Sequence, residues 1–173
     1  MPGDLMMWIL IVSELLVFGA GLAGFMAVRL TDPAGFAAAQ DQLHRGAAGI
    51  NTLLLVTSGL FAALAVVAAE ANRTKRTRGF LALAALMGIC FLVIKSSEYA
   101  DLAEMGFGTE THPFFMFYYL LTGFHAAHVV AGIVLFVVVG WNCSPAGVEM
   151  GAAFWHMVDL VWVLLIPVIY LLR

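Results

Sequence analysis

Charged residues are scarce in this chain. Of its 173 residues, 11% are Asp, Glu, Lys or Arg, whereas 63% are hydrophobic, and the mean hydropathy is +0.99. A water-soluble domain of this size cannot bury so large an apolar fraction. The composition therefore predicts an integral membrane protein. The sequence also has no basic groove with interleaved aromatic residues, which argues against nucleic-acid binding.

Cysteine is scarce as well, and its placement excludes several kinds of metal or haem site. Cys90 lies in an apolar segment and Cys143 in a predicted loop. They form neither a Cys-x-x-Cys-His haem attachment sequence nor a paired-cysteine metal site. The first apolar segment has no basic leader and no convincing small-residue cleavage site, so we expect it to be a retained membrane span.

Long apolar runs predict five membrane-spanning helices, at about residues 5–30, 46–69, 79–99, 114–141 and 148–172. A transmembrane helix needs about 20 mostly apolar residues, and each run meets that length. Residues 31–45 are of mixed charge, with an Ala-rich middle that could form a short surface helix. No repeat or low-complexity segment divides the chain. We therefore predict one all-α membrane domain over residues 1–173, built as a five-transmembrane-helix bundle.

The connection at residues 72–78 indicates the orientation of the bundle. It holds four cations, Arg73, Lys75, Arg76 and Arg78. Short loops rich in Lys and Arg stay on the cytoplasmic side, whereas the connection after the third run is acidic. The N-terminus is therefore predicted to be cytoplasmic and the C-terminus periplasmic.

Ionisable side chains inside the apolar runs are the candidates for function, because the bilayer interior penalises them. The set comprises Glu14, Lys95, Glu98, His125, His128, His156 and Asp159. Their spacing suggests pairs. Lys95 and Glu98 are three residues apart and could pair, and His156 and Asp159 share a helical face.

Two further faces follow from helical spacing. His125 and His128 are expected to project from one face together with Thr122 and Gly132. Gly21 follows Glu14 by seven residues, so the face that carries this acid can approach a neighbouring helix closely.

The residues alone allow several interpretations. His125 or His128 with His156 could clamp a haem iron, as in a free-standing b-type cytochrome, if the histidines are opposed at matching depth. Glu14, or the pair of His156 and Asp159, could take up and release protons. A small transporter is another alternative, although the chain has no inverted repeat and no paired broken helices.

The structural interpretation is the one we favour. Buried polar groups normally satisfy one another, so the histidines would donate hydrogen bonds to carboxylates or carbonyls of neighbouring helices and fix their rotation. By the same reasoning, a set of large aromatic residues is interpreted as core or interfacial: Tyr118, Tyr119, Trp155, Trp162 and Tyr170.

Motifs on separate spans resemble subunit III of the haem-copper oxidases. Residues 13–18, Ser-Glu-Leu-Leu-Val-Phe, resemble the Ser-Glu-x-x-x-Phe helix of that family. Residues 97–99 and 122–129 resemble its Ser-Glu-Tyr and Thr-Gly-Phe-His-x-x-His-Val pair. Residues 154–162 resemble its Trp-His-x-Val-Asp-x-Val-Trp signature, and Asn51-Thr52 falls at a matching Asn-Thr position. The order and approximate spacing of the motifs agree over nearly the whole chain.

The resemblance implies an accessory subunit that packs against the catalytic subunit, in which the haems and copper are held. In the family, the residue that matches Glu14 is a buried, carbodiimide-reactive acid near that interface, associated with proton uptake and with keeping the oxidase active during turnover. We therefore expect Glu14 to serve proton uptake or the subunit interface. This chain is expected to hold no catalytic residue, metal or haem, and phospholipid is a candidate ligand. We expect the other intramembrane residues of the motifs to form a structural polar network: Glu98, His125, His128, His156 and Asp159.

The chain departs from the family pattern in three places. Larger members have seven spans, and this chain corresponds to the last five, so two helices of the family's phospholipid cleft have no counterpart. Lys95 stands where a neutral residue is more usual, and Pro167 interrupts the last helix by freeing the carbonyl of Val163. Five spans in so short a chain resemble the quinol-oxidase type and, in size, the NorE-type homologue associated with nitric oxide reductase. The expected location is a bacterial inner membrane, with the acceptor, oxygen or nitric oxide, and the donor, cytochrome c or quinol, left open.

Overall fold

Long helices make up most of the protein. The computed structural model describes residues 4–172. Its helices are α1 (Leu5–Arg29), α2 (Pro33–Gln40), α3 (Arg45–Glu70), α4 (Thr74–Glu104), α5 (Pro113–Asn142) and α6 (Pro145–Ile166), followed by a π-helical turn (Pro167–Leu171). All except α2 are long and apolar enough to cross a membrane, which confirms the five predicted spans. The predicted domain limits, 1–173, reach beyond the described residues and stay a prediction. The orientation of the termini also stays a prediction.

Three helices begin at a proline that follows a capping side chain. Proline lacks an N–H group and fits the first turn, where that donor would have no helical partner. A side-chain acceptor just before it satisfies another free N–H. The capping residues are Asp32, His112 and Ser144, each of which accepts a hydrogen bond from a backbone N–H two or three residues further on. The sequence therefore sets where α2, α5 and α6 begin.

Helix α4 is longer than the third predicted span, 79–99. Three of the four cations that the sequence places in a connection lie in its first turns. The Arg78 guanidinium donates hydrogen bonds to the carbonyl oxygens of Gly140 and Trp141 at 3.0 and 2.9 Å, which ties the start of α4 to the end of α5. Hydropathy detects only the part of a helix that matches the hydrocarbon, so it misses these polar turns.

Residues 31–45 contain the predicted short helix, α2, which has one exposed face and one face buried against the bundle. Phe36 is 2% exposed, and its ring lies edge-on to those of Phe25 and Phe114, with centroids 5.4 and 5.8 Å apart. Gln40 is equally buried and donates a hydrogen bond to the carbonyl oxygen of Ile169 at 2.8 Å. Helix α2 therefore packs against the bundle and connects α1, α5 and the C-terminal turn.

Helix α6 is the most buried of the five spans, and α1 the least. Helix α6 packs against α1, α3 and α5. Trp155 of α6 lies against Gly88 of α4 and Gly132 of α5, where a Cβ atom would be 2.7 and 2.5 Å from the indole ring. Small residues allow such close approach between membrane helices. This packing fixes the rotation of α6 and hence the direction of its ionisable side chains.

The interruption predicted at Pro167 is present as a π-helical turn. Proline provides no N–H for the carbonyl of Val163, so the α-helical pattern ends at Ile166. The N–H of Leu172 donates to the carbonyl oxygen of Pro167 at 2.8 Å and closes the wider turn. Tyr170 lies within this turn and is 1% exposed. The turn therefore directs a phenol hydroxyl into the bundle.

Candidate functional site

Glu14 and His128 connect α1 to α5 within the membrane. Glu14 Oε2 and His128 Nε2 are 3.0 Å apart, and 20% and 14% of the two side chains are exposed. His128 Nδ1 donates to the carbonyl oxygen of Phe124 at 2.8 Å, so Nδ1 carries a proton. The contact between Nε2 and Oε2 then holds a second proton, bound either to the imidazole or to the carboxyl group. In both forms the pair is neutral overall, which lowers the cost of placing it in a bilayer.

Aromatic rings surround His128. The rings of Phe124, Phe18 and Phe154 have centroids 4.7, 5.6 and 6.3 Å from that of the imidazole. They fix the imidazole plane and limit the access of water to the contact with Glu14.

The close approach predicted for the face of Glu14 is present at Gly21. A Cβ atom on Gly21 would lie 2.5 Å from Leu121 Cδ2 of α5. The neighbour on this face is therefore a helix of the same chain.

His125 and His128 are three residues apart on α5, as predicted for one face, but they contact different helices. His125 is fully buried, and its Nε2 donates to the carbonyl oxygen of Val158 in α6 at 3.0 Å. Its ring lies 5.5 Å from that of Phe91 and 5.2 Å from that of Trp162. A separation of three residues leaves two helical side chains about 60° apart, enough here for them to contact different helices.

The histidines do not fit a bis-histidine haem site. A haem requires two imidazole nitrogens that face each other across the porphyrin. His125 approaches α6 from α5 with its Nε2 already bonded, whereas His156 lies against α3 at Gly59. Within residues 4–172, no group of three or more His, Cys, Asp or Glu residues could hold a metal ion. The geometry therefore does not support the cytochrome interpretation.

Lys95 and Glu98 form the ion pair that their spacing predicts. Lys95 Nζ is 3.0 Å from Glu98 Oε2, and only 2% of each side chain is exposed. The ammonium also donates to the hydroxyl oxygens of Tyr118 and Tyr170 at 3.0 and 2.6 Å. The Tyr170 hydroxyl in turn donates to Glu98 Oε1 at 3.0 Å. All three ammonium donors therefore have acceptors, as a buried charge requires.

Four aromatic rings enclose the ammonium of Lys95. Their centroids lie 4.7 to 5.4 Å from Nζ, within the range of cation–π attraction, and they belong to Tyr99, Tyr118, Trp162 and Tyr170. The sequence interpretation of Tyr118 and Tyr170 as core aromatics identified their burial and missed their hydroxyl groups. A lysine inside an apolar run was the available signal, since such a charge needs partners.

His156 and Asp159 share one face of α6, as predicted, and lie over Gly59 of α3. A Cβ atom on Gly59 would be 3.5 Å from His156 Nδ1 and would overlap the Asp159 carboxylate. The structure records no hydrogen bond between the two side chains. Asp159 Oδ1 is shielded from solvent and has no hydrogen-bond partner among residues 4–172, while His156 is exposed. Unlike the other ionisable residues of the predicted set, these two have no partner in the described part of the chain.

Outside the spans, Asp32 and His112 connect α2 to α5. Asp32 Oδ2 and His112 Nε2 are 3.2 Å apart. The backbone N–H of Gly35 and the side chain of His112 lower the pKa of Asp32 below its ordinary value of 3.8. The carboxylate therefore stays charged, and keeps capping α2, in more acidic solution than a free aspartate would.

A cavity of about 710 Å³ opens at this same end of the bundle. Its wall includes the α2–α3 connection and the end of α4, where Asp41 is 2.9 Å from Arg45 and Asp101 is 3.8 Å from His44. Glu98 also contributes to the wall. Arg45 offsets the charge of Asp41 in this wall, and His44 lies close to Asp101.

Comparison with known proteins identifies the family. The family model for cytochrome c oxidase subunit III matches residues 4–172. The chain belongs to the cytochrome c oxidase subunit III family. Cytochrome c oxidase subunit 3 of Corynebacterium diphtheriae is 31% identical over 95% of this chain and 86% of its own length. The subunit 3 of Thermostichus vulcanus is 30% identical over 95% and 84%, and the cytochrome bo(3) ubiquinol oxidase subunit 3 of Pseudomonas putida is 26% identical over 95% and 83%.

These relatives include subunits of cytochrome c oxidases and of a quinol oxidase, so the chain is a subunit III of the haem-copper oxidase type. It is a multi-pass membrane protein and a component of an oxidoreductase complex. The motifs that resemble this family lie at contacts between helices. Glu14 contacts α5, Glu98 the C-terminal turn, and His125 α6.

Proposed function

We propose that this subunit III is a non-catalytic subunit of a bacterial inner-membrane oxidase, packed against the subunit that holds the haems and copper, and that Glu14 and His128 support proton uptake during turnover. The observation that carries the proposal is the 3.0 Å contact between Glu14 Oε2 and His128 Nε2. Because one proton lies between two groups of the same neutral pair, it can change sides without creating net charge in the membrane.

The position of the pair supports this role. Glu14 lies nine residues into α1, roughly 14 Å along the helix, which places it near the middle of the bilayer. Both side chains are only partly buried, and α1 is the least covered span. A neighbouring subunit can therefore approach the pair, whereas the Lys95 and Glu98 pair is enclosed within the chain.

Substitutions at Glu14 test the role. Glu14→Gln removes the titratable proton and keeps the shape, and Glu14→Ala also removes the contact with His128. We expect both variants to insert and to assemble with the catalytic subunit, and then to show slower proton uptake or a faster decline of activity during sustained turnover. Ser13→Ala is the matched control, because within the described part of the chain Ser13 Oγ bonds only to the carbonyl oxygen of Leu10 in its own helix. Unchanged proton kinetics and unchanged decay in the Glu14 variants would remove this residue from the site.

A second substitution tests whether the two residues act as a unit. If the proton is shared, Glu14→Gln combined with His128→Gln should affect proton uptake no more than either change alone. The pH dependence of uptake should flatten in all three variants, an effect that loss of packing alone does not produce. Additive effects of the two substitutions would contradict a shared proton.

Purification of the native complex tests the assignment itself. We expect a haem-copper catalytic subunit to copurify with the wild-type chain, and the separated chain to show no Soret band. Assays of that complex with oxygen or nitric oxide, and with cytochrome c or quinol, identify the acceptor and the donor. A native complex without such a subunit would refute the proposal.

A further inference from the structure

The outward surface of α6 combines apolar and ionisable side chains. Leu160, Val163 and Leu164 are 47%, 45% and 48% exposed, and His156 is also exposed. These positions follow the i, i+4, i+7 and i+8 spacing of one helical stripe. His156 is eleven residues into α6, roughly 16 Å along the helix, so its imidazole lies deep in the hydrocarbon. We refer to this stripe as the outer face of α6.

Asp159 borders the outer face of α6 and lacks a partner. Its carboxylate lies over Gly59 of α3, and the structure records no hydrogen bond or ion pair to it from residues 4–172. Oδ1 is shielded from solvent, so Oδ2 is the oxygen that a donor on another subunit can reach. A polar group left unsatisfied in a membrane costs free energy, and a charged one costs more. Lipid tails offer no hydrogen-bond donor at this depth. The site is therefore incomplete within this chain.

We propose that the outer face of α6 is the docking surface for one transmembrane helix of another subunit, which presents a hydrogen-bond-donating side chain to Asp159 and His156. The inference rests on the proposed function, because it requires a partner subunit, and it adds where that partner binds. Gly59 lets the carboxylate lie close against α3.

A second copy of this chain is a poorer occupant. Two copies related by a two-fold axis would bring the same residues together and place one Asp159 near the other. Like charges, or two acids that compete for one donor, do not satisfy each other. A helix that carries a neutral or cationic donor and no acid complements the face better, and within the complex such a helix belongs to a different subunit.

Photo-crosslinking in the native complex tests the location. A photoreactive amino acid replaces Leu160 or Val163, which leaves His156 and Asp159 intact. Matched controls carry it at Leu86 of α4 or Val137 of α5, which are 55% and 60% exposed on other helices. We expect crosslinks to a single span of another subunit from both test positions and none to that span from the controls. Crosslinks only to lipid, or only to a second copy of this chain, would overturn the proposal.

Substitution of Asp159 tests the chemistry. Asp159→Leu should weaken the association with the partner by about tenfold, a factor that one charge-assisted hydrogen bond commonly carries, and Asp159→Asn should weaken it less. The measured quantity is the ratio of partner to chain after purification over a series of detergent concentrations. Equal ratios for wild type and Asp159→Leu, with the catalytic subunit still present, would refute this inference and leave the proposed function standing. If wild type itself lacks the catalytic subunit, the proposed function fails.

Discussion

Removal of one charge from the buried pair of Lys95 and Glu98 should destabilise this protein more than removal of both. Lys95→Met keeps the volume of the side chain but leaves the Glu98 carboxylate with the Tyr170 hydroxyl as its remaining partner. Loss of one member of a buried ion pair costs about 3–5 kcal/mol, because the other charge stays in a low-dielectric core. For a chain of this size, 1 kcal/mol corresponds to about 2–4 °C in Tm, so we expect Tm to fall by about 6–20 °C.

The double variant provides the decisive comparison. Lys95→Met with Glu98→Gln removes both charges and should cost about 0–2 kcal/mol, since apolar or neutral replacement of a buried pair is often tolerated. The double-mutant cycle should therefore show a coupling free energy of several kcal/mol. The assay is unfolding of the purified chain in mild detergent, followed by tryptophan fluorescence, with Trp162 5.3 Å from Lys95 Nζ as a local reporter. Single variants within about 1 kcal/mol of wild type, or a double variant equal to their sum, would refute the reasoning.

Three further outcomes are expected. Gly132→Ala should lower the stability of the chain by about 1–3 kcal/mol, because the new Cβ atom would lie 2.5 Å from the ring of Trp155. Gly49→Ala is the control and should leave stability unchanged, because no atom lies within 4 Å of its new Cβ atom. Thermal unfolding of both variants measures the difference. The pKa of Asp32 is lowered in the folded protein, so its carboxylate stabilises the fold above the unfolded pKa, and this contribution is lost as pH falls through the folded pKa. Asp32→Asn should therefore reduce the pH dependence of Tm below about pH 4. Reporter fusions at the α3–α4 connection should report the cytoplasm and fusions at the α4–α5 connection the periplasm, and the reverse pattern would contradict the predicted orientation.

The sequence predicted the features that depend on neighbours along the chain. Long apolar runs identified the five spans, because a bilayer imposes a minimum length on any helix that crosses it. Helical spacing predicted the contact of Lys95 with Glu98 and the common face of His156 and Asp159. The restriction on proline located the end of α6 at Pro167. Each of these follows from one helix considered alone.

Contacts between helices could not be predicted in the same way. Glu14 and His128 are 114 residues apart, and only the packing of α1 against α5 brings them together. Spacing grouped His125 with His128, but the rotation of α5 directs them to different helices. Tyr170 reaches Lys95 only because the π-helical turn redirects the chain after Pro167. Helical spacing gives the faces of a helix, whereas the neighbour on each face depends on the whole bundle.

The seven ionisable residues of the predicted intramembrane set fall into two groups, and the division bears on assembly. Five of them have partners within the chain: Glu14, Lys95, Glu98, His125 and His128. His156 and Asp159 have no partner in residues 4–172. Both lie over Gly59 of α3, and His156 is exposed. Those five contacts form within the chain and need no partner subunit. Asp159 then makes the free subunit less favourable than the assembled one, by about 1–3 kcal/mol or more for an unsatisfied polar group. Docking of a donor-bearing helix relieves that penalty, and the resulting free-energy difference favours assembly with a specific partner over a free subunit in lipid.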